Sequence, residues 1–491
     1  MKKSEDVFGR EYISPELLPS SFDDEHSQQQ IERAVARINE IFKRKTKSRR
    51  ENDSSNKWIK LIHSKEGMKI RFEAVSGFIS LGRLHVYIAP KLHPKEDHDW
   101  SVLLNKMLEI GGERASRAIH VFPEALNTEL LKEGMFEPIA RHYADSLLAA
   151  LDEQPLMSYR RLREDRPFLK GRLRVHKQIT RAPHQQHRFA CEYSRFTLEN
   201  PCTDLLRWAN HYFLRFSKFS ATQKRLTMAI ERMGRFTRTP SNHSVENLRI
   251  PISAEPYRVP LELARSLFES TNKSGKTGKS STAGILIRMN DFFEAYISGL
   301  YRLWVIKNSG YTLDRQAEHR LAQSDWNHYP RNSSRIHHTR SDDILRKDGQ
   351  IILISDTKYK GNQDESSNER LSSSDLYQLI STCISTQTNS ALVIRPAIGE
   401  KRIDNPLEIW TIDNPILLNS ELTEEIEEAL TQGGEASLQE ILNKIKQQSQ
   451  QKIRVGVLYL NCQHPKQEGW ITQQLSQLGN AIEKMLAPKP S

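Results

Sequence analysis

The chain has 491 residues, 37% of them apolar and 27% charged, with a formal net charge of +11. That length holds about two to four domains, no run of about 18 apolar residues offers a membrane span, and the basic surplus favours polyanionic partners through steering and counterion release. Cys191, Cys202, Cys383 and Cys462 form no Cys-x-x-Cys pair, which argues against a disulfide framework or a zinc knuckle, and no apolar core follows Lys2 and Lys3, so a reduced, cytoplasmic protein is expected.

Residues 1–56 read as a polar, helical N-terminal segment. Ile31, Val35, Ile38 and Phe42 recur at helical spacing, and a basic run follows from Lys43 to Arg50. That run suits a solvated helix end and linker as well as a DNA contact. Residues 57–155 predict a small β domain with following helices. KWIKLIHS, MKIRFEAV and GFISLGRLHVYIAPKL supply short strands ending near Leu92, and Leu84, Val86 and Ile88 alternate with polar neighbours as a half-buried strand should. WSVLLNKMLEIGG then places Val102, Leu103, Met107 and Ile110 on one helical side, and FEPIARHYADSLLAALDEQP continues the helical pattern until Pro155.

Residues 156–265 predict a basic, mainly helical middle region, in which TDLLRWANHYFLRFSKF is a clear helix. Residues 266–282 read as a flexible linker. The GKTGKS within it lacks the first glycine of a phosphate-binding loop, because Lys273 stands there, so no nucleotide is expected to bind. Residues 283–412 predict an α/β core. GILIRMNDFFEAYISGLYRLWVIK reads as one long helix with Met289, Phe293, Ile297, Leu300 and Trp304 on a face. A hairpin about Lys347–Gln350 follows, then a helix with Ser374 or Asp375 near its N-cap, then strands at ALVIRP and LEIWTID. Residues 413–491 predict an α/β C-terminal extension: a helix, a strand at RVGVLYLN and a terminal helix from Trp470 to Leu486. The fold class is therefore α+β and multidomain.

The chemistry concentrates in DDILRKDGQIILISDTKYK. Residues i and i+2 of a strand share a face, so Asp356 and Lys358 project together at the end of a strand anchored by IILI. Asp343 opens the preceding strand, and a hairpin of this length can bring it beside Asp356. Paired carboxylates repel. Mg²⁺ relieves that with hard-oxygen coordination and supplies an acidified water, while a nearby ammonium offsets charge developing on a phosphate. The competing reading is an edge-strand salt pair worth about 0–1 kcal/mol.

An acid followed by Asp-x-Lys at this distance is similar to the signature of the PD-(D/E)xK nucleases, and the order Asn290–Val305, hairpin, Asp375–Thr386, Ala391–Arg395 resembles their core. Over residues 57–412 the chain also resembles the McrC family of the McrBC 5-methylcytosine restriction system. GFISLGRLHVYIAPKL, LLNKML, FLKGRLRV, CEYSRFTLENP, MNDFFEAYI, SDDILR, ISDTKYK and DLYQLI carry the likeness in order. The resemblance implies a Mg²⁺-dependent DNA endonuclease subunit that docks by its N-terminal region on a McrB-like AAA+ GTPase and cuts modified DNA. It implies Asp343 and Asp356 as metal ligands, Lys358 as the catalytic lysine, Glu294 as a helical acid reaching the metal through water, and Gln378 as a residue steadying the site. Asp342 stands where the family has proline. The alternatives are a non-catalytic activator or DNA-binding subunit, and a stand-alone repair nuclease.

Overall fold

The computed structural model describes residues 5–10, 16–19, 24–46, 58–65, 67–81, 84–93, 100–123, 136–185, 187–234, 239–248, 250, 252–273, 282–323, 336–359, 371–398, 403, 406–412 and 452–487. The first of them form β1 (Glu5–Arg10), β2 (Glu16–Leu17) and helix α1 (Glu25–Thr46). Ile31, Val35 and Ile38 of α1 are buried as the spacing requires. The side chain of Phe42, and residues 47–50 of the basic run, lie outside the described residues. The expected small β region follows as β3 (Ile59–Ser64), β4 (Gly67–Phe72), β5 (Val75–Leu81) and β6 (Leu84–Ala89). Leu84, Val86 and Ile88 are all buried.

Helix α2 (Ser101–Arg117), strand β7 (Ile119–Pro123) and helix α3 (Phe136–Glu153) come next. The middle region is mainly helical, as expected, but its first part is a sheet. Residues 158–197 carry β8 (Ser158–Arg166), β9 (Arg172–Leu173), the short helix α4 (Val175–Ile179) and β10 (Phe189–Thr197), in a sheet of order β8-β10-β9. Most of β8 is exposed, so no alternation of apolar and polar residues marks it as a strand. Helices resume with α5 (Pro201–Phe216), α6 (Ser220–Met233), α7 (Asn242–Glu246) and α8 (Arg258–Lys273).

Part of the expected linker is thus helix α8, and residues 274–281 lie outside the described residues. The expected long helix is split. Thr282–Arg288 form strand β11, and only Met289–Lys307 form helix α9. β11 runs antiparallel between β5 and β7 in a five-stranded sheet of order β1-β6-β5-β11-β7. A short apolar run such as GILI reads equally as buried strand or helix; burial at the centre of a sheet decides it. All five residues assigned to the apolar face of α9 are buried.

The C-terminal sheet contains β12 (Tyr311–Arg315), β15 (Asp343–Lys347), β16 (Gln350–Thr357), β17 (Ser390–Pro396), β18 (Leu407–Ile412) and β19 (Ile453–Leu460), in the order β12-β15-β16-β17-β19-β18. The pair β13 (Glu318–Gln323) and β14 (Ile336–Arg340) stands apart as a ribbon. β16, β17 and β19 are parallel. Helix α10 (Ser373–Ser385) packs Leu379 and Cys383 on one face, against Ile354, Val393 and Val457. Helix α9 and the terminal helix α11 (Trp470–Leu486) pack the other face, against Leu353, Leu392 and Leu458. The last segment therefore completes this sheet from within, since β19 lies between β17 and β18. The helix expected soon after Asp413 falls outside the described residues.

Helix α9 also ties the C-terminal sheet to α2. At their crossing Gly299 lies against the carbonyl of Ile110, and any Cβ there would collide with it. Helices approach this closely only where one side chain is absent.

Candidate active site

The hairpin of β15 and β16 turns at Asp348 and Gly349, which have φ of 51° and 81°. Two positive φ values define the turn favoured by Asp-Gly between twisted strands. The register leaves the turn as Lys347↔Gln350 and Arg346↔Ile351, then jumps to Leu345↔Leu353, Ile344↔Ile354 and Asp343↔Ser355. Ile352 is the extra residue of a β-bulge, and both Ile352 and Leu353 face the α9 side.

That single residue sets the faces of the acids. Asp343 lies opposite Ser355 and points to α9. There Ser298 Oγ donates to both its carboxylate oxygens at 2.8 and 2.6 Å, and the residue is 1% exposed. Burial raises its carboxyl to about 6, against the pull of the Ser298 hydrogen bond, Arg315 and Arg114. Asp343 is thus not brought beside Asp356 as the hairpin expectation had it. Continuing the same register places Asp342 across from Asp356, on the α10 side. Asp342 Oδ2 accepts the backbone N–H of Thr357 at 2.8 Å.

Asp356 and Lys358 do project together. Lys358 Nζ lies 2.7 Å from Asp356 Oδ2 and 3.7 Å from Asp375 Oδ1, with all three side chains largely shielded. Arg395, from β17, reaches Asp375 Oδ2 at 3.6 Å. Burial would lower the Lys358 ammonium, but the Asp356 carboxylate outweighs it, with Asp375 and Asp342 adding, so Lys358 is held above its ordinary value. The Lys358 backbone N–H bonds to Ile394 O at 3.0 Å, fixing the strand end to β17.

Glu294, on α9, approaches the same cluster. Its Oε1 accepts from Gln316 Nε2 at 2.9 Å and lies 4.0 Å from an Arg114 guanidinium nitrogen. Burial drives the Asp342 carboxyl well above its usual range, and the negative charges of Glu294 and Asp356 push it further; the Thr357 N–H acts in the opposite direction. Gln378 is exposed on α10, one turn beyond Asp375. The N-cap of α10 is Ser372, whose Oγ accepts from Asp375 N at 3.2 Å, two or three positions before the expected cap. Asp375 and Arg395 are site residues that sequence reasoning missed. The signal for Asp375 was its place in the first turn of a helix after the Asp-x-Lys strand.

Among the described residues, no three His, Cys, Asp or Glu side chains converge to hold an ion by themselves. The residues nonetheless fit a hard cation. Asp342 lies near enough to Asp356 for their charges to interact, Lys358 pairs with Asp356 and Asp375, and burial first, then the charges of Glu294 and Asp356, raise Asp342. Two carboxylates with the remaining positions left to water are what Mg²⁺ commonly takes.

The fold and this cluster define a mixed α/β protein with a carboxylate–lysine site where β15, β16 and β17 meet. The family model of the McrBC 5-methylcytosine restriction system component matches residues 70–396, and the chain belongs to that family. A chain from the Thermococcus gammatolerans assembly of McrB AAA+ hexamers with bound McrC is similar in fold, with a TM-score of 0.50 and 17% identity over 97% of this chain and 100% of that one. A chain of the Thermococcus gammatolerans McrBC complex matches with a TM-score of 0.39 and 19% identity, covering 61% of this chain and 88% of that one. No curated protein matches.

Proposed function

We propose that this chain is the DNA-cleaving, McrC-type subunit of a McrBC-like restriction system, and that residues 283–412 with β19 and α11 form its PD-(D/E)xK nuclease core. The observation that carries the reading is Lys358 paired with the buried Asp356 at the strand end, with Asp342 near enough for its charge to interact with both. Asp342 and Asp356 would hold Mg²⁺, with Glu294 behind Asp342. When bound, the cation supplies Lewis acidity and a more acidic water for phosphodiester hydrolysis.

The chain's own groups do the rest. Asp356 and Asp375 keep the Lys358 ammonium protonated and in one place. A fixed positive charge there stabilises negative charge developing on a phosphate oxygen. Asp343, bonded to Ser298, braces the start of β15 against α9 and so holds Asp342 in register. Gln378, exposed on α10, is left to meet the DNA and not the acids.

The partner would be a McrB-like AAA+ GTPase, as in the Thermococcus gammatolerans assembly of McrB hexamers with bound McrC, and the substrate DNA carrying modified cytosine. The test is cleavage of methylated plasmid by the reconstituted complex with GTP and Mg²⁺. Asp356→Ala should leave the complex intact and abolish cutting. Cutting at the wild-type rate would sink the assignment, and cutting by the wild-type chain without partner or GTP would point to a stand-alone nuclease.

A further inference from the structure

Strands β16 and β17 run parallel and end together. Ala391 and Val393 of β17 pack on the α10 side, and Leu392 and Ile394 on the other. The same alternation turns Arg395 to the α10 side. The pairs Asp356↔Val393 and Thr357↔Ile394, continued by one, set Lys358 level with Arg395, and the bond from the Lys358 N–H to Ile394 O fits that register. Two cations therefore stand side by side at the carboxyl ends of neighbouring strands, the end of an open parallel sheet where ligands bind.

Adjacent cations repel, and these two are not equally satisfied. Lys358 Nζ lies 2.7 Å from Asp356 Oδ2, within hydrogen-bond distance. Arg395 meets Asp375 Oδ2 at 3.6 Å, too long for a hydrogen bond. Its Nε is buried without a hydrogen-bond partner. A guanidinium taken out of water with a donor unfilled costs free energy, and an anion offering two oxygens would satisfy it. Asp375 turns one oxygen to each cation, at 3.7 Å to Lys358, and so holds both on one carboxylate. The side chains of Arg395, Lys358 and Asp375 keep 13%, 17% and 23% exposure, so the cluster opens to solvent.

We propose that Arg395 is a second phosphate-binding residue of this site, taking the oxygens of a DNA phosphate with its guanidinium fork beside Lys358, and that Asp375 is the positioning residue for both cations. The residue types suit the division. Arginine takes phosphate by two parallel hydrogen bonds in a fixed plane, whereas lysine offers a point charge. Asp375 offsets the repulsion of the pair until the phosphate arrives. The inference rests on the nuclease reading above and names how that site holds its substrate.

The test is the salt dependence of duplex binding by the full chain in EDTA, which removes cleavage from the measurement. Fluorescence anisotropy of a labelled DNA duplex gives the affinity across a salt series. Arg395→Gln should weaken binding about tenfold and reduce the salt slope by about 0.9, the share of one phosphate contact. Arg395→Lys should keep the slope, because the charge remains, and lose affinity with the fork. In the partnered complex with GTP and Mg²⁺, Arg395→Gln should lower cutting about a hundredfold. A purely structural arginine gives the reverse pattern, a lower urea midpoint with salt slope and cutting unchanged. That pattern would overturn the proposal, as would a wild-type chain that binds no duplex. Cutting lost in Asp356→Ala but untouched in Arg395→Gln would sink this inference and leave the nuclease reading. A slope reduced by Arg395→Gln in a chain that never cuts would do the opposite.

Discussion

Asp342→Asn should stabilise the metal-free chain and abolish its response to Mg²⁺. In the unfolded chain Asp342 has ordinary acidity; in the fold, burial and the charges of Glu294 and Asp356 raise it well above that. An acid whose folded value is raised costs stability as pH climbs from the unfolded value towards the folded one, at about 1.4 kcal/mol per pH unit of that window. Asparagine keeps an oxygen for the Thr357 N–H and removes the charge. The unfolding free energy near pH 8 should therefore rise. Mg²⁺ at a hundredfold excess over its dissociation constant should add about 2.7 kcal/mol to the wild type and nothing to the Asp342→Asn chain. Asp343→Asn should keep the Mg²⁺ gain, because that carboxylate is turned to Ser298. Urea unfolding followed by tryptophan fluorescence, with and without MgCl₂ and without DNA, reads all three. Loss of the Mg²⁺ gain in Asp343→Asn with its survival in Asp342→Asn would refute the face assignment.

Lys358→Ala should lower plasmid cleavage by the partnered complex about a hundredfold or more, while gel filtration shows the complex intact; wild-type cutting would remove the lysine from the mechanism. Gly299→Ala places a Cβ against Ile110 O, and the helix shift needed should cost about 1–3 kcal/mol in denaturant midpoint analysis. His142 on α3 is lowered by burial to about 4 from 6.5. Its folded value lies below its unfolded one, so stability should fall as pH drops from about 6.5 to about 4, by up to about 3 kcal/mol, and His142→Gln should flatten that slope.

Elements with one buried face were legible. The periodicity of α1, the alternation of β6 and the five-residue face of α9 follow from burying apolar groups against a single neighbour. The bounds Trp470–Leu486 of α11 are those expected. Elements with no buried face, or with two, were not. β8 exposes most of its length and carries no period. β11 is buried on both sides, so its GILI run carries no period either, and only its partners β5 and β7 reveal it as a strand. The place of β19 inside the sheet depends on parallel pairing across about 60 residues of intervening chain, which local pattern does not encode.

The site shows the same division at finer scale. The pairing of Asp356 with Lys358 needs only the two-residue strand period, and the structure has it. The pairing of acids across the hairpin needs the count of residues on both strands, and one bulge changes that count by one. Without the extra residue at Ile352, the register Arg346↔Ile351 would continue to Asp343↔Ile354, and Asp343 would share the face of Asp356. With it, every side chain of β15 beyond the bulge is reversed relative to β16. Asp343 goes to Ser298, and Asp342 goes to the face of Asp356. The Ile352 bulge and Asp342 therefore act together: the bulge turns β15 over, and Asp342 stands on the face that Asp343 has left.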